Sequence, residues 1–122
     1  MRTLLITISL LLSLVALQAE EPPARPESFA TFWAGFKSAV AKNDKDAVAA
    51  ATKLPFMGQQ AKAAFLKSYP SYFGPEVRKC FATAKPAKQD GRDSFTVFCG
   101  EEIFSFEKVN GAYKFTSIDM ND

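Results

Sequence analysis

Residues 94–115 read SFTVFCGEEIFSFEKVNGAYKF, and this stretch decides the fold because apolar side chains alternate with polar ones along it. Alternation with a period of two residues is typical of β-strands that are buried on one face. It predicts strands over about 94–99 and 103–109. The dipeptide Asn110-Gly111 then predicts a tight hairpin, because both positions of a two-residue turn need the positive φ that these residues tolerate. This part of the chain is therefore expected to form an antiparallel β-meander.

The hairpin turn also predicts the register of the meander. Pairing Val109 with Ala112 sets the following residues opposite each other: Lys108 with Tyr113, Glu107 with Lys114, Phe106 with Phe115, and Ser105 with Thr116. Extending the same alternation to the first strand adds two more pairs: Val97 with Phe104, and Phe95 with Phe106. One face of the sheet then carries the aromatic side chains and Cys99, and this face is expected to be buried.

The residues before the meander predict four helices. Apolar side chains recur at helical spacing, separated by turn residues, over about 28–42, 47–51, 60–69 and 75–81. Ser28 and Asp44 are placed to cap the first two helices. Pro70 is expected to interrupt the third helix, and Pro75 is suited to open the fourth. Residues 85–92 contain Pro, Asp and Gly and are predicted to form a loop.

Cys80 and Cys99 are the two cysteines of the chain. An even count in an exported protein favours a structural disulfide, with two buried free thiols as the alternative. Cys80 would lie near the end of the last helix and Cys99 on the buried sheet face, so a bridge would join the two layers. The predicted fold class is therefore α+β: a single domain over residues 28–122, with helices packed on one face of an antiparallel sheet.

Residues 1–19 have the layout of a secretory signal peptide. Arg2 supplies a positive charge, residues 4–17 carry none, and the small residue Ala19 precedes two acidic residues. The apolar run is shorter than the ~20 residues that cross a bilayer, which argues against the alternative of a membrane anchor. Residues 20–27 contain three prolines and are expected to be a flexible leader. We therefore expect export, to the periplasm or beyond, and no stable membrane insertion after the signal is removed.

Composition argues against several classes of function. Fifteen basic and thirteen acidic residues leave a net charge of +2, which argues against nucleic-acid binding driven by charge alone. The sequence contains no histidine, which removes the Ser-His-Asp and Cys-His nucleophile systems and metal sites built on imidazole. It also carries no P-loop, dinucleotide fingerprint or calcium loop, so we expect neither a cofactor nor a metal.

Aromatic residues dominate the candidate binding site. Five aromatic residues are expected to line a cleft between the helices and the sheet, and Arg78 is a sixth candidate for ligand binding: Trp33, Phe36, Tyr69, Tyr72 and Phe73 are the five. Apolar walls with a few hydroxyl groups suit a small ligand, although plain core packing gives the same spacing and is favoured. Arg78 offers either a fixed cation for an acidic ligand or a surface partner for Glu76, and the sequence favours the surface. The scattered lysines, Lys45 among them, indicate a solvated exterior.

The order of these elements resembles the nuclear transport factor 2-like superfamily. The resemblance rests on the aromatic first helix, the Asn43-Asp44 break, the segments LPF at 54–56 and FLKSY at 65–69, and the closing hairpin at 104–115. It implies a curved sheet that wraps the helices into a cone, whose open end often holds a small apolar ligand. Some members of the superfamily are enzymes or dimers.

The resemblance also bears on catalysis. Members that isomerise ketosteroids use an acidic base together with a tyrosine and a second acid. This chain contains such residue types at Tyr69, Tyr72, Tyr113 and Asp119, but they do not match the family residue by residue. Asp119 is expected beyond the last strand as a solvated end. Convergent acid and base groups are therefore not evident, and the sequence does not favour an enzyme.

Two functions are expected as alternatives. The first is an exported, non-enzymatic binding module that holds a small apolar ligand in the aromatic cleft. The second is a protein–protein role, such as an inhibitor or immunity factor for an envelope enzyme, that uses the meander edge or the 100–102 loop. A homodimer is compatible with either function. Glu101 and Glu102 are expected to be solvated rather than a functional carboxylate pair, because successive residues at a hairpin tip point apart.

Overall fold

The computed structural model describes residues 27–121, and these form four helices followed by four strands. The helices are α1 (Phe29–Ala41), α2 (Lys45–Ala50), α3 (Lys62–Tyr72) and α4 (Pro75–Thr83). The strands are β1 (Ala87–Lys88), β2 (Ser94–Cys99), β3 (Glu102–Val109) and β4 (Ala112–Met120). They pair in the order β1-β2-β3-β4 as one antiparallel sheet, so the predicted α+β class is confirmed. The signal peptide predicted at 1–19, and the leader predicted at 20–27 apart from its last residue, lie outside the described residues.

Side-chain caps begin the first two helices where the sequence predicts them. The Ser28 side chain accepts a hydrogen bond from the Thr31 amide at 3.1 Å, and the Asp44 side chain accepts one from the Ala47 amide at 3.2 Å. Each bond satisfies a backbone donor that the first helical turn leaves without an intrahelical partner. Pro75 opens α4 as predicted, since a first helical position does not need its missing N–H.

The prediction that Pro70 interrupts the third helix is wrong. Helix α3 runs from Lys62 to Tyr72 and contains Pro70 in its last turn. A proline so close to the C-terminal end removes one backbone hydrogen bond and leaves the rest of the helix intact. Tyr69 and Phe73 are buried on either side of it, so core packing outweighs the local preference of proline.

The predicted register of the hairpin is confirmed from the turn to the aromatic pair. Val109 pairs with Ala112 and Phe106 with Phe115, and Val97 of β2 lies opposite Phe104 of β3. Asn110 and Gly111 have φ values of 51° and 84°, as a two-residue hairpin turn requires. The aromatic side chains of the three long strands therefore share one face of the sheet, except for Phe98 of β2, which is exposed on the other face.

A β-bulge shifts the register beyond the pair of Phe106 and Phe115, so the prediction is wrong there. Ser105 was expected opposite Thr116 but pairs with Ser117, because the register shifts between Ser105 and Phe106. Thr116 is the extra residue, and its hydroxyl donates to the Ser105 carbonyl oxygen at 3.2 Å. The expectation for Asp119 is also wrong in part: it lies within β4 opposite Ile103, not beyond the strand, although it is exposed.

The loop predicted at 85–92 contains the short strand β1. Ala87 and Lys88 pair with Thr96 and Phe95 of β2. The backbone amide of Gln89 donates to the Ser94 carbonyl oxygen at 2.8 Å, and its side chain donates to the Thr96 hydroxyl at 3.1 Å. Asp90 and Gly91 therefore form the turn at the tip of the segment, and Ala87 and Lys88 extend the sheet.

Phenylalanine rings form the contact between the helices and the sheet. Phe106 and Phe115 are fully buried, and the ring centre of Phe36 in α1 lies 5.1 Å and 5.5 Å from theirs. Phe73, which follows α3, lies 5.8 Å from Phe104. These separations are those at which aromatic pairs attract beyond the burial of their surface. The predicted packing of helices on one sheet face is confirmed.

Two further links hold the helices in place. The predicted disulfide is confirmed: Cys80 of α4 is bonded to Cys99 of β2, with the Cα atoms 5.8 Å apart. At the other edge of the sheet, the Lys53 amide donates to the Phe115 carbonyl oxygen at 2.9 Å, and the Phe115 amide donates to Ala51 at 2.8 Å. These bonds fix the end of α2 against β4, so α2 and α4 are both anchored to the sheet.

Removing the disulfide is expected to destabilise the fold without unfolding it. Replacing both Cys80 and Cys99 by Ala should lower the free energy of unfolding by about 3 kcal/mol, the chain-entropy value for a loop of about 20 residues. Urea denaturation followed by circular dichroism measures this difference. Reduction of the unmodified protein is the control and should give a similar loss. An unchanged urea midpoint in both cases would contradict the prediction.

Candidate functional site

The best-defined candidate site is a cleft where the ends of three helices meet. It has a volume of about 120 Å³ and lies between the start of α2, the end of α3 and the start of α4. Its lining residues are Asn43, Lys45, Tyr69, Pro70, Phe73, Gly74, Pro75 and Arg78. We call it the Tyr69 cleft. Three of the six residues predicted to bind ligand, Tyr69, Phe73 and Arg78, are brought together here.

Tyr69 is fully buried, yet its hydroxyl group has no hydrogen-bond partner among residues 27–121. Its ring is stacked against Phe73, with the ring centres 5.1 Å apart, so its position is fixed by the core. The ammonium group of Lys45 lies 6.0 Å from the centre of the same ring. Buried tyrosine hydroxyls are normally hydrogen-bonded. Tyr69 therefore brings to the lining of the cleft a residue whose hydroxyl group is buried and has no partner among the described residues.

Arg78 contributes a second unused polar group to the same cleft. Its Nε atom is buried and has no acceptor within the described part of the chain. The surface pair with Glu76 that the sequence favoured is not formed. The single ion pair among residues 27–121 joins Lys62 to Asp46 at 3.1 Å. A buried N–H without an acceptor is costly, because this one donor has lost its hydration while the rest of the half-buried side chain keeps contact with solvent.

The electrostatic surroundings keep Tyr69 protonated at neutral pH. Burial raises the pKa of the Tyr69 phenol; the nearby Arg78 charge opposes this effect and the Asp44 carboxylate adds to it. A neutral phenol can donate a hydrogen bond. Lys45 and Arg78 supply two positive charges at the cleft, while Asp44 is the neighbouring negative charge.

The start of α4 adds positive potential to this site. Gly74 occupies the N-cap position and offers no side chain to cap the helix, and Gly74 and Pro75 both line the cleft. The first amides of a helix have no intrahelical acceptors and carry partial positive charge. Together with Arg78 one turn later, this helix end makes the cleft suited to an electron-rich group.

The other three residues predicted to bind ligand lie elsewhere. Phe36 lines a separate cleft of about 200 Å³ between α1 and α2. Trp33 packs in the core, 5.3 Å from Phe81 between ring centres. The Tyr72 hydroxyl is already used, since it donates to Gln59 Oε1 at 3.0 Å. Trp33 and Tyr72 are both half-buried and pack against the core, and neither lines the Tyr69 cleft.

The residue types that suggested catalysis are not gathered in one place. Tyr113 packs edge-on against Phe29 with ring centres 5.2 Å apart and is not among the residues that line the Tyr69 cleft. Asp119 is exposed and accepts a hydrogen bond from the Ser117 hydroxyl at 3.2 Å. Glu101 lies exposed in the β2–β3 turn, as expected. Within residues 27–121 no three carboxylate or thiol side chains cluster as a metal site would require.

Sequence reasoning missed Lys45, Asn43 and Gly74 as site residues. Lys45 looked like one of many surface lysines, and only the meeting of α2 with α3 brings it beside Tyr69. Asn43 ends the α1–α2 break with a φ of 56°, a conformation that asparagine tolerates. The Gly74-Pro75 pair was the one available signal, since it marks a helix start that lacks a capping side chain.

The chain was compared with models of protein families, with curated proteins and with solved structures, and none of them matches it. None of the helices formed by the described residues has the length and apolar character needed to cross a membrane. The site is therefore interpreted from its own chemistry.

Deleting the unused hydroxyl is expected to stabilise the protein. Tyr69→Phe should raise the free energy of unfolding by about 1 kcal/mol, because it removes a buried polar atom without a partner. The matched control is Tyr72→Phe, which loses the bond to Gln59 and should lower the same quantity by about 1 kcal/mol. Urea denaturation measures both. Equal destabilisation by the two variants would show that the Tyr69 hydroxyl is hydrogen-bonded.

The raised pKa of Tyr69 predicts a loss of stability at alkaline pH. Above the ordinary tyrosine pKa of 10.0 the unfolded chain releases the phenol proton while the folded protein retains it. The contribution of the Tyr69 phenol to the free energy of unfolding is therefore fully present below pH 10 and is lost as the pH rises through the folded-state pKa. Unfolding by urea at several pH values between 9 and 11 should show a steeper decline for the unmodified protein than for Tyr69→Phe. Parallel declines would contradict the prediction.

Proposed function

We propose that this protein is an exported, non-enzymatic binding module that holds a small ligand in the Tyr69 cleft. One observation carries the proposal. The Tyr69 hydroxyl and Arg78 Nε are the two buried side-chain polar atoms without partners among residues 27–121, and both residues line this cleft. A ligand that bonds to these groups would offset the cost of burying them. The cleft thus offers binding energy that is released only when it is occupied.

The size and walls of the cleft limit the ligand. A volume of about 120 Å³ corresponds to the space of about four water molecules. Phe73, Pro70 and Pro75 provide apolar walls, while the unpaired groups of Tyr69 and Arg78 provide polar contacts. Such a lining favours a ligand, or the end of a longer one, that combines a small apolar body with a polar head. The proposed ligand therefore differs from the small apolar ligand expected from the sequence, because it also carries a polar group.

Binding is favoured over catalysis by the residues at the cleft. Its lining residues include no carboxylate, thiol or histidine that could act as a general base. The Asp44 carboxylate next to the cleft accepts the Ala47 amide as a helix cap. The Tyr69 phenol, with its raised pKa, is suited to donate a hydrogen bond and is a poor base near neutral pH.

Export and family membership are part of the proposal. The disulfide between Cys80 and Cys99 supports export, because such bonds persist in oxidising compartments. The signal-peptide layout of residues 1–19 points the same way. Helices followed by an antiparallel meander have the element order that resembles the nuclear transport factor 2-like superfamily. Its cone-like curvature stays a prediction.

A protein partner is the second candidate function. It is favoured by Phe98, whose side chain is 54% exposed on the sheet face opposite the core, with Ile103 as its cross-strand neighbour. The edge of β4 is a less suitable site than expected, because residues 51–53 already pair with it at Phe115. A partner that binds through the exposed sheet face around Phe98 should no longer bind the Phe98→Ser variant and should still bind the Gly74→Ala variant.

A fragment screen tests the proposed function. Small polar and apolar fragments added to ¹⁵N-labelled protein should shift the amide signals of Lys45, Tyr69, Phe73 and Arg78. Gly74→Ala should weaken this binding several-fold, because it adds a methyl group to a residue that lines the cleft. The substitution is sterically tolerated, since the new Cβ would meet only the Pro70 carbonyl oxygen at 3.7 Å.

The matched control is Gly35→Ala, which adds a methyl group to a glycine that lines the other cleft and has no atom within 4 Å of the new Cβ. It should leave fragment binding at the Tyr69 cleft unchanged. Shifts confined to other surfaces, or equal weakening by both variants, would contradict the proposed function.

A further inference from the structure

We infer that the ligand of the Tyr69 cleft is a small monoanionic carboxylate, held by the Arg78 guanidinium and the Tyr69 hydroxyl. The inference rests on the proposed function and specifies the chemical class of its ligand. A free short-chain acid and the C-terminal carboxylate of a peptide share this chemistry. The cleft itself recognises the carboxylate and the few apolar atoms that follow it.

The donors at the cleft match a carboxylate. The two unpartnered buried groups are an N–H donor on Arg78 and a phenol on Tyr69 that stays protonated, so both residues bring to the lining of the cleft a donor that needs an acceptor. A guanidinium group presents parallel N–H donors that fit the two oxygens of a carboxylate. The uncapped start of α4 at Gly74 adds favourable potential for negative charge.

The charge balance favours a monoanion over a dianion. Lys45 and Arg78 line the cleft, and the Asp44 carboxylate lies close enough to affect the pKa of Tyr69. These groups leave one net positive charge. A carboxylate neutralises it, whereas a phosphate dianion would leave an excess negative charge in a partly buried site. The apolar walls formed by Pro70 and Phe73 also suit a short hydrocarbon chain better than a second charged oxygen.

The larger cleft nearby is unsuited to the same ligand. It has a volume of about 450 Å³ and lies beside Ser71, Val77 and Gly74, but two carboxylates, Glu76 and Glu102, are part of its lining. These would repel an anion. No buried polar atom without a partner belongs to its lining residues, among those that the structure describes. Of these two clefts, the Tyr69 cleft is therefore the one expected to bind an anion.

The test compares three probes of similar size on protein with an intact disulfide. Propionate, its neutral analogue propionamide and inorganic phosphate are titrated into ¹⁵N-labelled protein at neutral pH. Propionate should shift the amide signals of Tyr69, Phe73 and Arg78, with an affinity roughly ten-fold or more above that of propionamide, since a charge-assisted hydrogen bond is lost in the amide. Phosphate should bind more weakly than propionate.

Matched charge variants assign the site. Arg78→Gln and Lys79→Gln each remove one positive charge from neighbouring positions of α4, but Lys79 is exposed and does not line the cleft. The first should lower propionate affinity roughly ten-fold or more and the second should leave it unchanged. Arg78→Lys, which keeps the charge without the planar donors, should fall between them. The amide spectra also show whether each variant is folded.

The outcomes separate this inference from the proposed function. Equal binding of propionate and propionamide at the cleft would overturn the carboxylate class and leave the binding module standing. Tighter binding of phosphate would overturn the carboxylate class in favour of a dianion. No shift by any probe would also overturn the carboxylate class, and the fragment screen then decides the proposed function separately.

A further comparison distinguishes the two sources of the carboxylate. A short peptide with a free C-terminus is compared with its amidated form, and binding of the free form alone supports a peptide terminus.

Discussion

The burial of one phenylalanine face of the sheet is the interaction on which the rest of the structure depends. Phe115 lies at its centre, with ring centres of Phe36, Phe56 and Phe73 within 5.6 Å of its own. These partners come from α1, from the segment before α3 and from the residue after α3. A single strand position therefore orients most of the helical layer. Fully burying such a side chain contributes about 2–3 kcal/mol, before the aromatic contacts themselves are counted.

The Tyr69 cleft is a consequence of this packing. Phe73 is fixed by Phe104 and Phe115, and Tyr69 stacks on Phe73 in turn. On the opposite wall, the disulfide ties α4 to the sheet and so places Arg78. A binding group that is held by rigid elements loses little entropy when a ligand arrives. The cleft is thus preorganised by contacts that would be present in the fold even if nothing were bound.

Local patterns predicted the parts of this fold that local physics determines. The Asn110-Gly111 turn predicted the pairing of Phe106 with Phe115, because the turn geometry fixes the register. The bulge at Thr116 was missed, since strict alternation contains no signal for an inserted residue. Only part of the site could be predicted from the sequence. Tyr69 and Arg78 were singled out, but Lys45 lies beside Tyr69 through a contact between helices that no sequence spacing encodes.

The location of the unsatisfied groups supports the proposed binding role of the cleft. Defects that arise independently would be scattered, whereas here both unpartnered buried polar side-chain atoms of residues 27–121 belong to residues lining one small cleft. Elsewhere in that region hydroxyl and amide groups are used, as in the chain of bonds from Tyr72 through Gln59 to Ser68. A phenylalanine at position 69 would keep the ring stacking and avoid the cost of the hydroxyl. Sequences depart from internal consistency mainly where function requires it, and this tendency supports the function proposed for the cleft.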